Sequence, residues 1–467
     1  MLTALSVRRR GAARLAVTAV VSGLFAAGAI ASAGSAAAED IPQHQGGATA
    51  TLDGLTTFDR AVLHDGGQRH ELPAGLFEMT VDGGGRLKTY CVDMHNPTQP
   101  QARYLETPWE QTSLGRNSDA GKIQWILQHS YPQVDDLVAL AERAGTGPLT
   151  ERTAAAGTQV AIWRYSDDAG VEALDPAAEQ LADWLESKAE RIDEPRASLS
   201  LEPNAVSGKA GGRLGPITVR TDADSVTVTP PVDSAASGVI VTDQAGSPLT
   251  TAVDGSRLYF DVPDGAIDGS AALSLQASTS VPVGRAFSGA TKSQTQILAG
   301  SSRSTVSATA TATWAGKGPI PALTAKKNCA AGGIDITATN RGDEQFTFGL
   351  QGVEHAIAPG ESRTVTVPVP EDQAYDFTVS GQDGFSKHFK GVLDCKTTGS
   401  AGPLPDQPAP QPSAFSAGST GIDDNLAATG ASPATPVIVG TAIALVVVGG
   451  AAVLFVHTRK APSKEDD

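Results

Sequence analysis

Sulfur is scarce in this chain: three cysteines and three methionines in 467 residues. Three cysteines cannot all pair, so in an oxidising compartment one thiol is left over. Aromatic residues make up only 5%, and four of the five tryptophans (Trp109, Trp125, Trp163 and Trp184) fall in one stretch. The densest core is therefore expected in the first half. Positive charge is also short, with 35 Lys and Arg against 51 Asp and Glu and a formal net charge of −16. That excludes the basic footprint that phosphate backbones require, and no nucleic-acid partner is expected. No HExxH, CxxC, GxSxG or phosphate-binding glycine loop occurs, so the motifs of zinc hydrolysis, dithiol exchange, serine hydrolysis and nucleotide binding are missing. No metal site and no cofactor are expected; Asp135–Asp136 and Asp167–Asp168 read as solvated charges at helix ends.

Both ends carry targeting features. Arg8, Arg9, Arg10 and Arg14 precede and open an apolar run, followed by the small residues of "SAAAED". Residues 1–38 are expected to be an export signal, the alternative being an N-terminal membrane anchor. Near the other end, Val437 to Val456 are 20 uncharged residues, enough to span a bilayer. Arg459 and Lys460 follow as a positive stop, and "LAATG" (Leu426, Ala427, Ala428, Thr429, Gly430) lies just upstream. Pentapeptide, apolar span and basic tail in this order resemble the sorting signal of Gram-positive surface proteins, in the LAXTG form of high-GC actinobacteria. The resemblance implies that a sortase, of class E type, cuts between Thr429 and Gly430 and joins Thr429 to cell-wall peptidoglycan. The membrane would then be met only through the sorting helix before cleavage. A plain single-pass protein is the alternative.

Between the ends the composition changes twice. Residues 39–195 mix strands and helices. "LFEMTV" and "LKTYCVDM" read as a hairpin across "DGGG", and four helices follow in "AGKIQWILQHSYP", "DDLVALAERAG", "LTERTAAAGTQVAIWRYSDD" and "DPAAEQLADWLESKAERI". Thr150 and Asp175 are the expected caps of the third and fourth, and Gly157 weakens the middle of the third. Residues 196–318 are Ser/Thr/Val/Gly-rich with short alternating runs, as in an immunoglobulin-like β-sandwich. Residues 319–396 read as a smaller β domain, with Cys329 and Cys395 bracketing it as the natural disulfide. Pairings that tie Cys91 to another domain are the alternative. Residues 397–425 are a Pro/Ser/Gly-rich spacer, able to reach on the order of 90 Å when extended. The expected fold is thus multidomain: an α+β head, two all-β immunoglobulin-like modules, a spacer, and a transmembrane sorting helix in residues 426–467.

Cys91, left without a partner, sits in "TYCVDM", and "TQVAIW" begins at Thr158. These two blocks resemble the signatures of the thioester domains of Gram-positive surface proteins. The resemblance covers about residues 50–195. It implies that the Cys91 thiol attacks the Gln159 carboxamide, ammonia leaves, and an internal thioester remains. Tyr90, Thr158, Ala161, Ile162 and Trp163 match the rest of the blocks and are the implied supports. Holding both partners on rigid elements would make the step intramolecular and favourable, and Val92, Val160, Ile162 and Trp163 could keep water away. The implied function is that of a wall-anchored surface adhesin. A target nucleophile, such as an amine, displaces Cys91 and is left bonded to Gln159, once and without turnover. Asp93 and His95 follow Cys91 closely, and neither is assigned the proton transfer. Two other readings stand beside this one. Cys91 could be the nucleophile of a hydrolase or acyltransferase with His64, His70, His95 or His129 as base, or the chain could be a passive stalk that binds non-covalently. No Lys/Asn/acid set stands out for an isopeptide crosslink.

Overall fold

The structure, a computed structural model, describes residues 46–397. The export segment, nearly all of the spacer, and the sorting signal with Leu426 to Gly430 and the apolar span therefore lie outside the described residues. Among the described residues no helix is long and apolar enough to cross a membrane.

The head begins with a long hairpin. Strand β1 (Thr49–Asp65) turns at Gly66 and Gly67, both at positive φ, into β2 (Gln68–Val81). The "DGGG" turn then leads to β3 (Arg86–Cys91), with Phe77 opposite Thr89 and Met79 opposite Leu87. Alternation along "LFEMTV" extends the β2 pairing, but β3 stops at Cys91 rather than running on to Met94. Past Cys91 the Val92 N–H still reaches the Thr295 carbonyl, and the Asp93 N–H turns back to the Cys91 sulfur. After β4 (Arg103–Thr107) come helices α1 (Ala120–His129), α2 (Leu137–Ala144) and α3 (Glu151–Ser166). The short strand β5 (Val171–Ala173) and helix α4 (Pro176–Lys188) close the segment. Thr150 caps α3 in a reciprocal box with Thr153, and the Asp175 carboxylate caps α4 by accepting from the N–H groups of Ala177 and Ala178, satisfying donors that a helix start leaves open.

Gly157 does not interrupt α3. It lets α4 approach: a Cβ there would lie 2.4 Å from the Ala178 carbonyl oxygen. A residue that costs helix propensity is here a requirement of helix packing.

The head sheet corrects the expected linear division of the chain. Its order is β2, β3, then strands Gln296–Ser301 and Ala286–Gly289, then β4, β1 and β5. Because β1 also pairs with β2, the order closes into a ring. Residues 286–301, expected within the 196–318 module, thus complete the head. Cys91 pairs with Gln296, and Tyr90 with Ile297. The buried Arg285 side chain pins this insertion by ion pairs to Glu106, at 2.9 Å, and to Glu194.

The rest of that range forms two sheets, of four and five strands, that share one hydrophobic core with the head. A third module, from Pro321 to Leu393, has a three-stranded and a four-stranded sheet and its own core of Ile334, Ile336, Phe346, Phe348 and Phe389. A disulfide joins Cys329 and Cys395, with Cα atoms 5.2 Å apart, and Cys91 is a free, buried thiol.

Candidate functional site

Cys91 ends a strand, and Gln159 lies midway along α3, which packs across β1, β2 and β3. The two residues meet through two hydrogen bonds. The Cys91 N–H donates to Gln159 Oε1 at 3.0 Å, and Gln159 Nε2 donates to the Cys91 carbonyl oxygen at 2.9 Å. The carboxamide is thereby clasped along both edges by the peptide groups of the cysteine. Gln159 is 0% exposed and Cys91 1%. A buried amide demands partners, and here they come from the residue whose thiol would attack it. The Cys91 N–H is also placed to stabilise negative charge developing on Oε1, as an oxyanion donor does.

The supporting residues form a second layer. The Tyr90 hydroxyl donates to the Tyr131 carbonyl at 2.8 Å. Thr158 donates to the Ala154 carbonyl at 2.7 Å, shares a hydrogen bond with the Ser130 hydroxyl and acts on the Tyr90 hydroxyl. These contacts tie β3 to α3 and to the end of α1. Val92, Val160, Ala161 and Ile162 are fully buried around the pair. Trp163 is buried too. Its indole N–H has no hydrogen-bond partner by geometry, yet lies close enough to the Cys91 thiol to favour the thiolate.

Burial pushes the Cys91 thiol well up, and Asp167 and Asp93 push it further. Both acids are themselves buried. Burial raises Asp93 to about 9, helped by Asp394 and Asp167, and raises Asp167 to about 7. Asp93 accepts from Asn96 Nδ2 and from the His95 N–H. Asp167 is not the solvated helix-end charge that its position suggests. It accepts from the Met94 N–H at 3.0 Å and from the Ser166 hydroxyl at 2.6 Å, because the chain after β3 folds back over the end of α3. Asp168, by contrast, is exposed.

The four histidines are placed elsewhere. His64 pairs with Glu172 at 3.4 Å, His70 is exposed, and His129 stacks on Trp125 at 3.9 Å. His95 meets Asp93 only through its backbone N–H. Among the described residues, the group that donates to the Cys91 sulfur by geometry is the Asp93 N–H, at 3.4 Å.

Sequence reasoning missed the far wall of the site. Ser293, Gln294, Thr295 and Gln296 are all buried. Gln296 accepts from the Thr89 hydroxyl, and Gln294 donates to the Asn96 carbonyl. The third module then docks against the head. Arg116 donates to the Cys329 carbonyl at 3.3 Å, Asn96 to Asp372 at 3.0 Å and Thr397 to the Ser166 carbonyl at 3.1 Å. The Lys326 ammonium pairs with Glu110.

A strand-end cysteine whose peptide groups clasp a helix-borne glutamine inside a sealed core defines a paired thiol–amide site. Residues 88–191, which include both Cys91 and Gln159, match the family model described as "Thioester domain", so the chain carries a thioester domain. Residues 321–392 match the model described as "Bacterial phospholipase C, C-terminal domain". Among solved structures, the chain is similar to the Bacillus anthracis TIE protein, at 13% identity and a TM-score of 0.27, covering 74% of this chain and 81% of that one. It is also similar to the thioester domain of the Enterococcus faecium TIE86 protein, at 13% identity and a TM-score of 0.26, covering 57% of this chain and 96% of that one. No curated protein matches it.

Proposed function

We propose that this protein is a covalent surface adhesin whose Cys91 and Gln159 form an internal thioester. The observation that carries the reading is the two-edged clasp of the Gln159 carboxamide by Cys91. The thiol adds to the amide carbon, the carbon–nitrogen bond breaks, and the thiol proton is balanced by the proton that ammonia gains. Asp167, held near 7, is suited to take the first proton, and Asp93, still protonated at neutral pH, to supply the second. The product is an acyl group held on sulfur. A target amine then attacks the same carbon, an amide forms to Gln159, and the Cys91 thiol is released. No catalyst is regenerated, so the protein is a single-turnover binder rather than an enzyme.

Export, anchoring by sortase to peptidoglycan through Thr429, and an immunoglobulin-like stalk below the head complete this reading, supported by the order of the terminal signals and the β-rich modules. Because the pair is sealed, a macromolecular nucleophile must enter by separation of the covering segments. The test is the intact mass of the full-length chain. It is expected one ammonia below the mass of its own sequence and to rise by one methylamine on treatment with that amine, with neither change in Cys91→Ala or Gln159→Ala. A mass equal to the sequence mass, with a titratable thiol at Cys91, overturns the proposal.

A further inference from the structure

The third module gathers three carboxylates at its seam with the head. Glu371, Asp372 and Asp394 each bring an oxygen within 4.8 Å of the other two. One oxygen of each is already engaged. Glu371 Oε1 accepts from the N–H groups of Cys395 and Lys396. Asp372 Oδ1 accepts from Asn96 at 3.0 Å, and Asp394 Oδ2 from the Thr295 hydroxyl at 2.8 Å. Among the described residues no hydrogen bond reaches the other oxygen of each. The most telling is Asp394 Oδ1: the residue is only 5% exposed, and this atom has no hydrogen-bond partner. A buried carboxylate oxygen without a donor is costly, and two further carboxylates beside it add repulsion. The Lys327 ammonium acts on Asp394, but its Nζ donates to the Ser288 hydroxyl at 3.3 Å, and among the described residues no ion pair joins it to Asp394. Asp372 and Asp394 also line a narrow cleft between the modules with Asn96, Lys292 and Ser293.

We propose that Glu371, Asp372 and Asp394 bind one divalent cation of the calcium class through their uncommitted oxygens. An all-oxygen, all-carboxylate set suits a hard cation rather than zinc or copper. Ligand number favours calcium. Calcium takes roughly six to eight oxygen ligands in flexible geometry, whereas magnesium is usually held by one or two carboxylates and keeps several waters, so a set of three protein carboxylates fits calcium better. Two of the carboxylates also bind head residues, Asn96 and Thr295, and Val92 bonds to the Thr295 carbonyl. The ion would therefore fasten the third module to the head one residue away from the strand end that carries Cys91.

The test uses the full-length chain, treated with EDTA and titrated with calcium chloride alone and, separately, magnesium chloride, by calorimetry and thermal unfolding. One calcium site is expected, with Kd on the order of 10⁻⁴–10⁻³ M as in extracellular modules, and with a calcium-dependent rise in Tm. Magnesium should bind at least ~10-fold more weakly. Asp394→Asn and Glu371→Gln should each weaken calcium binding by at least ~10-fold, since each removes one of three charged ligands. Asp65→Asn, at the exposed β1–β2 turn, should leave it unchanged. Absence of heat and of any Tm shift up to ~10 mM calcium, beyond the extracellular affinity range, overturns the proposal. So does a folded Asp394→Asn or Glu371→Gln that keeps the original affinity, or tighter binding of magnesium. The titration of the unaltered chain decides the matter even where a variant fails to fold.

Discussion

Helices α3 and α4 lie side by side, are of similar length and are both capped by a side chain, yet they are built on different principles. α4 buries Ala178, Leu181, Ala182 and Leu185 and turns its charged residues outward. Its Glu179, Asp183 and Glu186 form a fork around Arg164 of α3. That is ordinary amphipathic packing. α3 is buried on nearly every side although Ala, Thr and Gly dominate it, and it takes Thr153, Thr158, Gln159 and Ser166 into the interior with it. Its burial is imposed by the sheet on one flank and by α1 and α4 on the other. Small residues allow that crowding. A polar residue kept in such a helix must be satisfied by a neighbour, and Gln159 is satisfied only because β3 ends beside it.

This contrast can be broken in graded steps. The largest effect is expected from Gln159→Ala, which removes the amide and abolishes the loss of ammonia altogether. Gly157→Val comes next. Its side chain would meet the Ala178 carbonyl and Leu181, and overpacking of this kind costs about 1–3 kcal/mol or more. A lowered denaturation midpoint by urea titration is the measurement, and an unchanged midpoint would show that α4 can retreat. Thr158→Val keeps the shape but removes the hydroxyl that serves Ala154, Ser130 and Tyr90. A loss of about 1–3 kcal/mol is expected, since buried partners are left unsatisfied, with slower ammonia loss in the refolded chain followed by mass spectrometry. The smallest effect falls on α4: Asp175→Ala removes a cap and should cost about 1 kcal/mol. It should leave the methylamine reaction unchanged, because α4 contributes no polar group to the pair.

What the sequence discloses follows from how each element is stabilised. The four helices are legible because caps and periodicity are local. The strands Arg257–Asp261, Gly269–Ser280 and Arg303–Ala315 are legible because one face is wet and side chains alternate. Strands Ala286–Gly289 and Gln296–Ser301 are buried on both faces for most of their length, so no alternation sets them apart, and nothing local says that they belong to the head. Asp167 was hidden for a related reason. At the end of a helix an aspartate is normally solvated, and only the return of residues 92–96 across it makes it part of the site. Asp394 comes from a module more than two hundred residues downstream of α3, and no motif links it to Cys91. Motif blocks point to Cys91 and Gln159, whereas the walls around them are a product of long-range topology.

The inserted strand also governs time. Until residues 296–301 have been made, β3 has β2 as its only strand neighbour, and the wall formed by Ser293 to Gln296 does not exist. A ribosome finishes Cys91 and Gln159 long before it reaches that wall. Both residues therefore exist in the chain before residues 293–296 can cover them, and the wall is complete only once the inserted strands have been made. Order along the chain thus leaves the cover of the pair to one of the last-made parts of the head.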